Sequence, residues 1–277
     1  MINGNTELIA HIGYPTHTFK SPMIYNPYFE EMGINAVVIP MGCKPENFGV
    51  FLNSVFHLTN IRGALITMPH KVTTAHFLKD ISSTARIAGA CNAVRRTSDG
   101  LLQGDMFDGE GFVRGIQRKG LDLRGKRALV VGSGGVGSAI AASLAKAQVA
   151  QLHVFDMNES AAQQLTQRIK QYFPKTDVAD GSNNPQHMDL VVNATPLGMK
   201  EDDPLPFDVS LLHQDTFVGE VVLKNETTAL LKAAAMRGCK VQVGADMLFE
   251  QIPAYLEYFG FKTTTPEVLR EIAQLRY

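Results

Sequence analysis

Glycines 132, 134 and 137 in Gly132-Ser-Gly-Gly-Val-Gly137 follow the apolar run Ala128–Val131 and precede the alanine-rich stretch Ser138–Lys146. Strand, glycine loop and helix in that order make a phosphate cradle. Gly132 permits the tight turn, Gly134 lets backbone approach a pyrophosphate, and Gly137 lets helix and strand pack closely. The loop residues Ser133, Gly135 and Val136 bring the helix start, with its unpaired N–H groups and positive dipole end, to the phosphates. Asp156 closes the next apolar run, Leu152-His-Val-Phe155. A carboxylate there accepts the ribose hydroxyls of an adenosine and repels a 2′-phosphate. The order of these features points to dinucleotide binding, with NAD preferred to NADP.

A nicotinamide enzyme acting on an alcohol needs a group to take the hydroxyl proton as hydride leaves. Three candidates precede the glycine loop. Lys71 follows Thr67-Met-Pro-His at a strand-to-helix junction, Asn92 lies in Ala88-Gly-Ala-Cys-Asn-Ala-Val94, and Asp108 opens a helical pattern after Gly104-Asp-Met-Phe107. Each also has an ordinary reading: a solvated lysine, a turn asparagine, an N-cap aspartate.

Two α/β blocks must position these groups. In the first, strands at Leu8–Gly13, Ala36–Pro40 and Gly63–Met68 alternate with helices at Pro22–Met32, near Glu46–His57, and from Pro69 onward. Such alternation predicts a mainly parallel sheet. Cys91–Arg95 and Leu101–Gly104 read as strands flanking the Ser98-Asp-Gly100 turn. A connecting helix, Asp108–Lys119, leads to the nucleotide block. That block continues with helix Ser160–Tyr172, strands Leu190–Asn193 and Phe217–Val222, helix Thr228–Met236 and strand Lys240–Val243. The expected architecture is α/β with two domains: an α/β substrate domain, residues 1–107, and a Rossmann-type doubly wound parallel-sheet NAD domain, residues 108–246. A helical tail, 247–277, returns to the first domain.

Composition sets the outer limits. The chain has 277 residues, 45% hydrophobic and 19% charged, with a net charge of −1. This balance offers no global attraction to nucleic acid or anionic membrane. No apolar run approaches the ~18 residues that span a bilayer, and no basic-then-apolar signal opens the chain. Cys43, Cys91 and Cys239 are odd in number and far apart, which suggests free thiols in a reducing compartment. The histidines form no metal-ligand spacing, so no metal site is expected. The expectation is a cytoplasmic enzyme, monomer or homodimer, acting on a small molecule.

The motifs in series, Lys20-Ser-Pro, Thr67-Met-Pro-His-Lys71, Gly89-Ala-Cys-Asn92, Asp108-Gly-Glu-Gly-Phe112, Gly132–Gly137, Asn193-Ala-Thr-Pro-Leu-Gly-Met199 and Met247-Leu-Phe-Glu-Gln251, resemble the shikimate dehydrogenase family over nearly the whole chain. The resemblance implies a substrate domain joined to a Rossmann-type domain with the active cleft between them. It also implies reversible oxidation of a cyclic polyol acid by NAD or NADP. By matching motif, Lys71 and Asp108 would be the catalytic pair. Ser21, Thr67, Asn92 and Gln251 would hold the ring hydroxyls and carboxylate, while Asn193, Thr195 and Met199 would line the cofactor. An amine accepts a proton only from its neutral form, which desolvation favours and a nearby carboxylate disfavours. The pair would therefore orient the amine and shuttle a proton, and which group is formally the base stays open.

The chain departs from the family pattern in two places. Asp156-Met-Asn158 lacks the Arg that holds a 2′-phosphate in NADP-using members, which again favours NAD. At the substrate end, Phe19 replaces the first serine of the loop, Leu65 and Met106 replace asparagines, and Leu223 replaces a tyrosine. Each hydrogen bond lost to a charged group costs ~1.5–3 kcal/mol unless replaced. The expected function is thus NAD-dependent interconversion of a hydroxyl and a ketone on a shikimate- or quinate-like ring acid. Biosynthetic shikimate dehydrogenase proper, or a non-catalytic NAD- or metabolite-binding regulator, are the alternatives.

Overall fold

The computed structural model describes residues 2–224 and 227–275. The last two positions of the expected helical tail, 276 and 277, lie outside them. The chain divides into two compact units. The first runs to Phe107 and resumes at Ile252, and the second is Asp108–Gln251.

The first unit holds strands β1 (Glu7–Gly13), β2 (Ala36–Gly42), β3 (Ile61–Ile66), β4 (Asp80–Ile81), β5 (Ala93–Arg96) and β6 (Leu102–Asp105). Its helices are α1 (Pro22–Glu31), α2 (Phe48–Val55), α3 (Lys71–Phe77) and α4 (Ser83–Ala88). The sheet order is β2-β1-β3-β5-β6-β4. The sheet is mainly parallel, as expected, with one antiparallel strand. β1 pairs parallel with β2 and β3, and β4 with β6. β5 runs antiparallel to both β3 and β6. The cause is local: the tight turn after Arg96 reverses the chain, and a two-residue strand at 80–81 closes the edge. The helix expected from Pro69 begins at Lys71, after a turn closed by the His70 N–H on the Thr67 carbonyl at 2.9 Å.

Strand alternation gives this sheet two apolar faces. Ala10, Ile12, Ala64, Ile66 and Val94 pack under Phe48, Leu52 and Val55 of α2. The neighbouring positions Gly13 and Gly63 face the other way, Gly13 toward Thr67 and Phe19, and Gly63 toward the Phe259 ring.

The second unit contains α5 (Asp108–Arg118), β7 (Arg127–Val131), α6 (Gly135–Lys146), β8 (Gln151–Phe155), α7 (Glu159–Tyr172), β9 (Asp177–Asp180), β10 (Leu190–Asn193), β11 (Phe217–Glu220), α8 (Ala229–Met236) and β12 (Lys240–Gln242). The boundary with the first unit falls inside α9 (Gly244–Tyr258), and α10 (Pro266–Ile272) follows. All five strand pairings are parallel, in the order β12-β11-β10-β7-β8-β9. This is the doubly wound Rossmann order, whose switch point lies between β7 and β10. Both sheet faces are covered. Val131, Val191 and Val218 pack against Leu230, Leu231 and Ala234, while Gly219, on the opposite face, meets Phe112 of α5.

Among the described residues no helix is long and apolar enough to cross a membrane. Cys43, Cys91 and Cys239 are free and buried.

Candidate functional site

The glycine loop follows β7 at the switch point. Gly132 has φ +105, a conformation that side-chain-bearing residues rarely adopt, and a Cβ there would come within 2.8 Å of the Ala194 carbonyl carbon. A Cβ on Gly137 would stand 2.0 Å from the Gly132 carbonyl oxygen. Gly134, which caps α6, has no atom within 4 Å of its Cβ position. Two glycines are therefore held by the protein's own packing, and the third leaves space beside the N-terminus of a twelve-residue helix. That arrangement fits a pyrophosphate.

Asp156 has a second task that the sequence reading missed. Its Oδ2 accepts from the Ser133 N–H at 2.6 Å and the Ser133 hydroxyl at 2.8 Å, and its Oδ1 from the Asn158 N–H at 2.9 Å. Burial alone would raise its pKa, but these three bonds outweigh it and hold the carboxyl below the usual carboxylate range. Asp156 is thus an ionised clamp on the loop. It also lines a cavity of about 470 Å³ with Glu159 and Asp180, and among the described residues no Lys or Arg lines that cavity.

Across the switch point, Asn193 ends β10 fully buried. Its Nδ2 donates to the Leu197 carbonyl at 2.9 Å, and its Oδ1 accepts from the Thr195 N–H and hydroxyl at 3.1 and 2.6 Å. Asp203 holds the far end by accepting from the Gly198 and Lys200 N–H groups. The network shapes a loop that leaves Met199 exposed. Asn193 and Thr195 build this loop from below.

One strand over, Glu220 is fully buried at the end of β11, with Oε2 accepting from the Thr228 hydroxyl at 2.7 Å and Oε1 without a partner among the described residues. Burial pushes its pKa up to about 7, against the pull of the Thr228 bond. The folded state therefore keeps a proton that the unfolded chain releases near its ordinary 4.5. The resulting stability is full below pH 4.5 and is lost as pH rises through 7, ~3 kcal/mol in all. Glu220→Gln is expected to flatten that fall in melting temperature between pH 5 and 8. An unchanged pH slope would contradict the assignment.

The first unit holds four of the six proposed catalytic and substrate residues, and joins the segments of three of them, Thr67, Lys71 and Asn92, through backbone bonds. Thr67 follows β3 directly, with its N–H donating to the Ile12 carbonyl. Lys71 is the first residue of α3, and its carbonyl accepts from the Cys91 N–H at 2.9 Å. The next residue, Asn92, is 1% exposed, and its carbonyl takes the Ile66 N–H. The Asn92 Oδ1 accepts from the Phe107 N–H at 2.9 Å, which orients its amide. Ser21 stands just before α1 and accepts from the Ile24 and Tyr25 N–H groups through its carbonyl. His70, beside Lys71, is an anchor: it stacks on Phe48 at 4.0 Å and bonds the Cys43 carbonyl at 2.7 Å. The remaining two residues belong to the second unit. Asp108 opens α5, 3% exposed, and Gln251 packs against Gly111 of the same helix with its Oε1 unpartnered.

The apolar departures are also placed. Leu65 and Met106 are buried, and Leu223 is half-buried after β11. Phe19 stacks on His11 with ring centroids 4.0 Å apart. His11, which the sequence reading passed over, is 6% exposed with an unpartnered Nδ1. Burial, assisted by the charge of Lys71, lowers its pKa to about 3.

Two family models match the chain. The shikimate dehydrogenase substrate-binding domain covers residues 11–94, and the shikimate / quinate 5-dehydrogenase model covers 115–198. A curated shikimate dehydrogenase (NADP(+)) from Rubrobacter xylanophilus is 34% identical over 90% of this chain and 89% of its own. Among solved structures, shikimate 5-dehydrogenase from Listeria monocytogenes in complex with shikimate and NAD is 27% identical. It aligns with a TM-score of 0.89 over 98% of this chain and 97% of its own. Quinate dehydrogenase from Corynebacterium glutamicum in complex with NAD is 29% identical, with a TM-score of 0.86 over 96% and 98%.

Proposed function

The chain belongs to the shikimate dehydrogenase family, NAD(P)-dependent oxidoreductases acting on CH–OH, and from that premise we propose that it uses NAD to interconvert a hydroxyl and a ketone on a shikimate- or quinate-like ring acid. The observation that supports the cofactor half is the cavity beside Asp156, whose described lining residues include three carboxylates and no cation. A 2′-phosphate brought there would meet like charge, whereas ribose hydroxyls would meet acceptors.

When bound, NAD supplies the acceptor for the hydride that leaves the carbinol carbon. Gly132–Gly137 and the start of α6 would hold its pyrophosphate, Asp156 its ribose, and the Asn193–Met199 loop its far end. The remaining steps belong to the chain's own groups. Ser21, Thr67, Asn92 and Gln251 hold the ring by its hydroxyls and carboxylate. Lys71 and Asp108 form the proton-transfer pair that takes up the hydroxyl proton. Phe19 and Leu65 make the first unit's part of the site less polar than a polyol acid with a strongly held carboxylate needs. Shikimate is therefore expected to be a weaker substrate than a less polar or amino-substituted ring acid.

Initial rates of NAD reduction with shikimate, quinate and an aminated ring acid test this reading. Turnover with at least one acid, and faster on another acid than on shikimate, is expected. No reduction with any of them by a protein that binds NAD would overturn the reading, and tight, fast turnover of shikimate would overturn its substrate half. The names of the curated relatives favour a second reading, an NADP-using biosynthetic shikimate dehydrogenase. Asp156, Glu159 and Asp180 weigh against it.

A further inference from the structure

His11 lies in the middle of β1, in register with Leu65 of β3. Partners in a parallel ladder point to the same face, so the imidazole and Leu65 share the face to which Gly13 belongs. On that face Gly13 meets the Thr67 methyl and the Phe19 ring, and Phe19 in turn stacks on the imidazole. The positive charge of Lys71 is near enough to act on the ring. His11 is thus a buried polar group gathered with Thr67 and Lys71 between two apolar residues, Phe19 and Leu65.

Among the described residues its Nδ1 has no hydrogen-bond partner. Buried polar atoms are nearly always paired, and each exception calls for an explanation. A purely structural histidine at this point would be worse than a leucine, because it brings an unsatisfied atom into an apolar setting. The ring stays neutral through the physiological range, so it can bond a hydroxyl without adding a second cation beside Lys71. Phe19 is half-exposed, on the exposed loop between β1 and α1, and lies over one face of the imidazole, so that its movement would open the ring to a ligand.

We propose that His11 is a specificity-determining residue of the substrate site, whose imidazole hydrogen-bonds a hydroxyl of the bound ring acid. The assignment rests on the function proposed above and names the polar contact that this chain offers between Phe19 and Leu65.

The test compares wild type with His11→Leu and His11→Gln, using NAD and whichever of shikimate, quinate or the aminated acid the wild type turns over. His11→Leu is expected to raise KM about 10- to 100-fold with a smaller change in kcat, and His11→Gln to recover at least about tenfold of that loss. The imidazole resonances of the wild type are expected to shift when the ring acid is added in the absence of NAD. Thermal melts and NAD affinity of both variants check that they fold. If the wild type turns over no ring acid, the functional reading itself fails. If the wild type is active, and folded His11→Leu keeps its KM while the imidazole resonances stay unmoved, the role of His11 fails alone. Should His11→Leu not fold, a KM of His11→Gln within twofold of wild type together with unmoved resonances overturns the proposal.

Discussion

Replacing Lys71 with alanine is expected to lower kcat by about 10²- to 10⁴-fold, the usual worth of a positioned proton-transfer group, with KM changed far less. The expectation rests on where the chain holds this side chain. The backbone of Lys71 is pinned by the Cys91 N–H, and the residue before it is fixed by the stack on Phe48 and the bond to the Cys43 carbonyl. The lysine therefore leaves a rigid point, next to Thr67 and Asn92, at the C-terminal end of a parallel strand. Its side chain is only half-buried, so truncation should leave the melting temperature close to that of wild type. Initial rates over a range of ring-acid concentrations separate the two parameters. A variant with near-normal kcat and a raised KM would make Lys71 a binding residue and leave proton transfer to another group.

The second large effect belongs to the glycine loop, where two substitutions should separate architecture from ligand. In Gly137→Ala the new methyl meets the Gly132 carbonyl oxygen at 2.0 Å and the Ala194 Cβ at 3.1 Å. The first of these is backbone, so the loop itself must shift, at a cost of about 1–3 kcal/mol or more. Both melting temperature and NAD affinity should fall. In Gly134→Ala the methyl enters open space at φ −65, a conformation any residue adopts. The fold should tolerate it, while the space kept for the pyrophosphate is taken. We expect NAD affinity to drop at least about tenfold, or ~1.4 kcal/mol, with the melting temperature of the free protein little changed. Calorimetric NAD titration and thermal melts read the two effects. Gly134→Ala binding NAD as well as wild type would mean that the phosphates do not lie against this loop.

The nucleotide unit was legible in the sequence because each of its signals has one mechanical cause. A positive-φ turn, a close helix–strand contact and an acid at the next strand end demand particular residue types at fixed spacing. Strand β9 was missed for the opposite reason: in Asp177-Val-Ala-Asp180 only Val178 is buried, so the edge strand shows no apolar run. With it went Asp180 and the full acidity of the cavity beside Asp156. The β5–β6 hairpin of the first unit was legible from its turn, but the antiparallel pairing of β5 with β3 was not, because apolar pattern records burial and says nothing of strand direction. The Ser133 hydroxyl's bond to Asp156 and Thr228's bond to Glu220 join residues 23 and eight positions apart through side chains alone, which no periodicity reports. His11 sits in Leu8-Ile-Ala-His-Ile-Gly13, where a lone histidine in an apolar strand reads as core. Only the fold brings it to Phe19, Thr67 and Lys71.

The central claim, an NAD-dependent ring-acid dehydrogenase, meets its most direct test in kcat/KM for NAD and NADP, measured side by side on the ring acid that the protein turns over best. The three carboxylates that line the cavity beside Asp156, with no cation among its described lining residues, predict that NAD is favoured by at least about 10²-fold, as ~3 kcal/mol of discrimination against a 2′-phosphate would give. Equal efficiency or a preference for NADP would contradict the account. It would mean that a basic group outside this cavity takes the phosphate and that the protein works as the curated NADP(+) relatives are named.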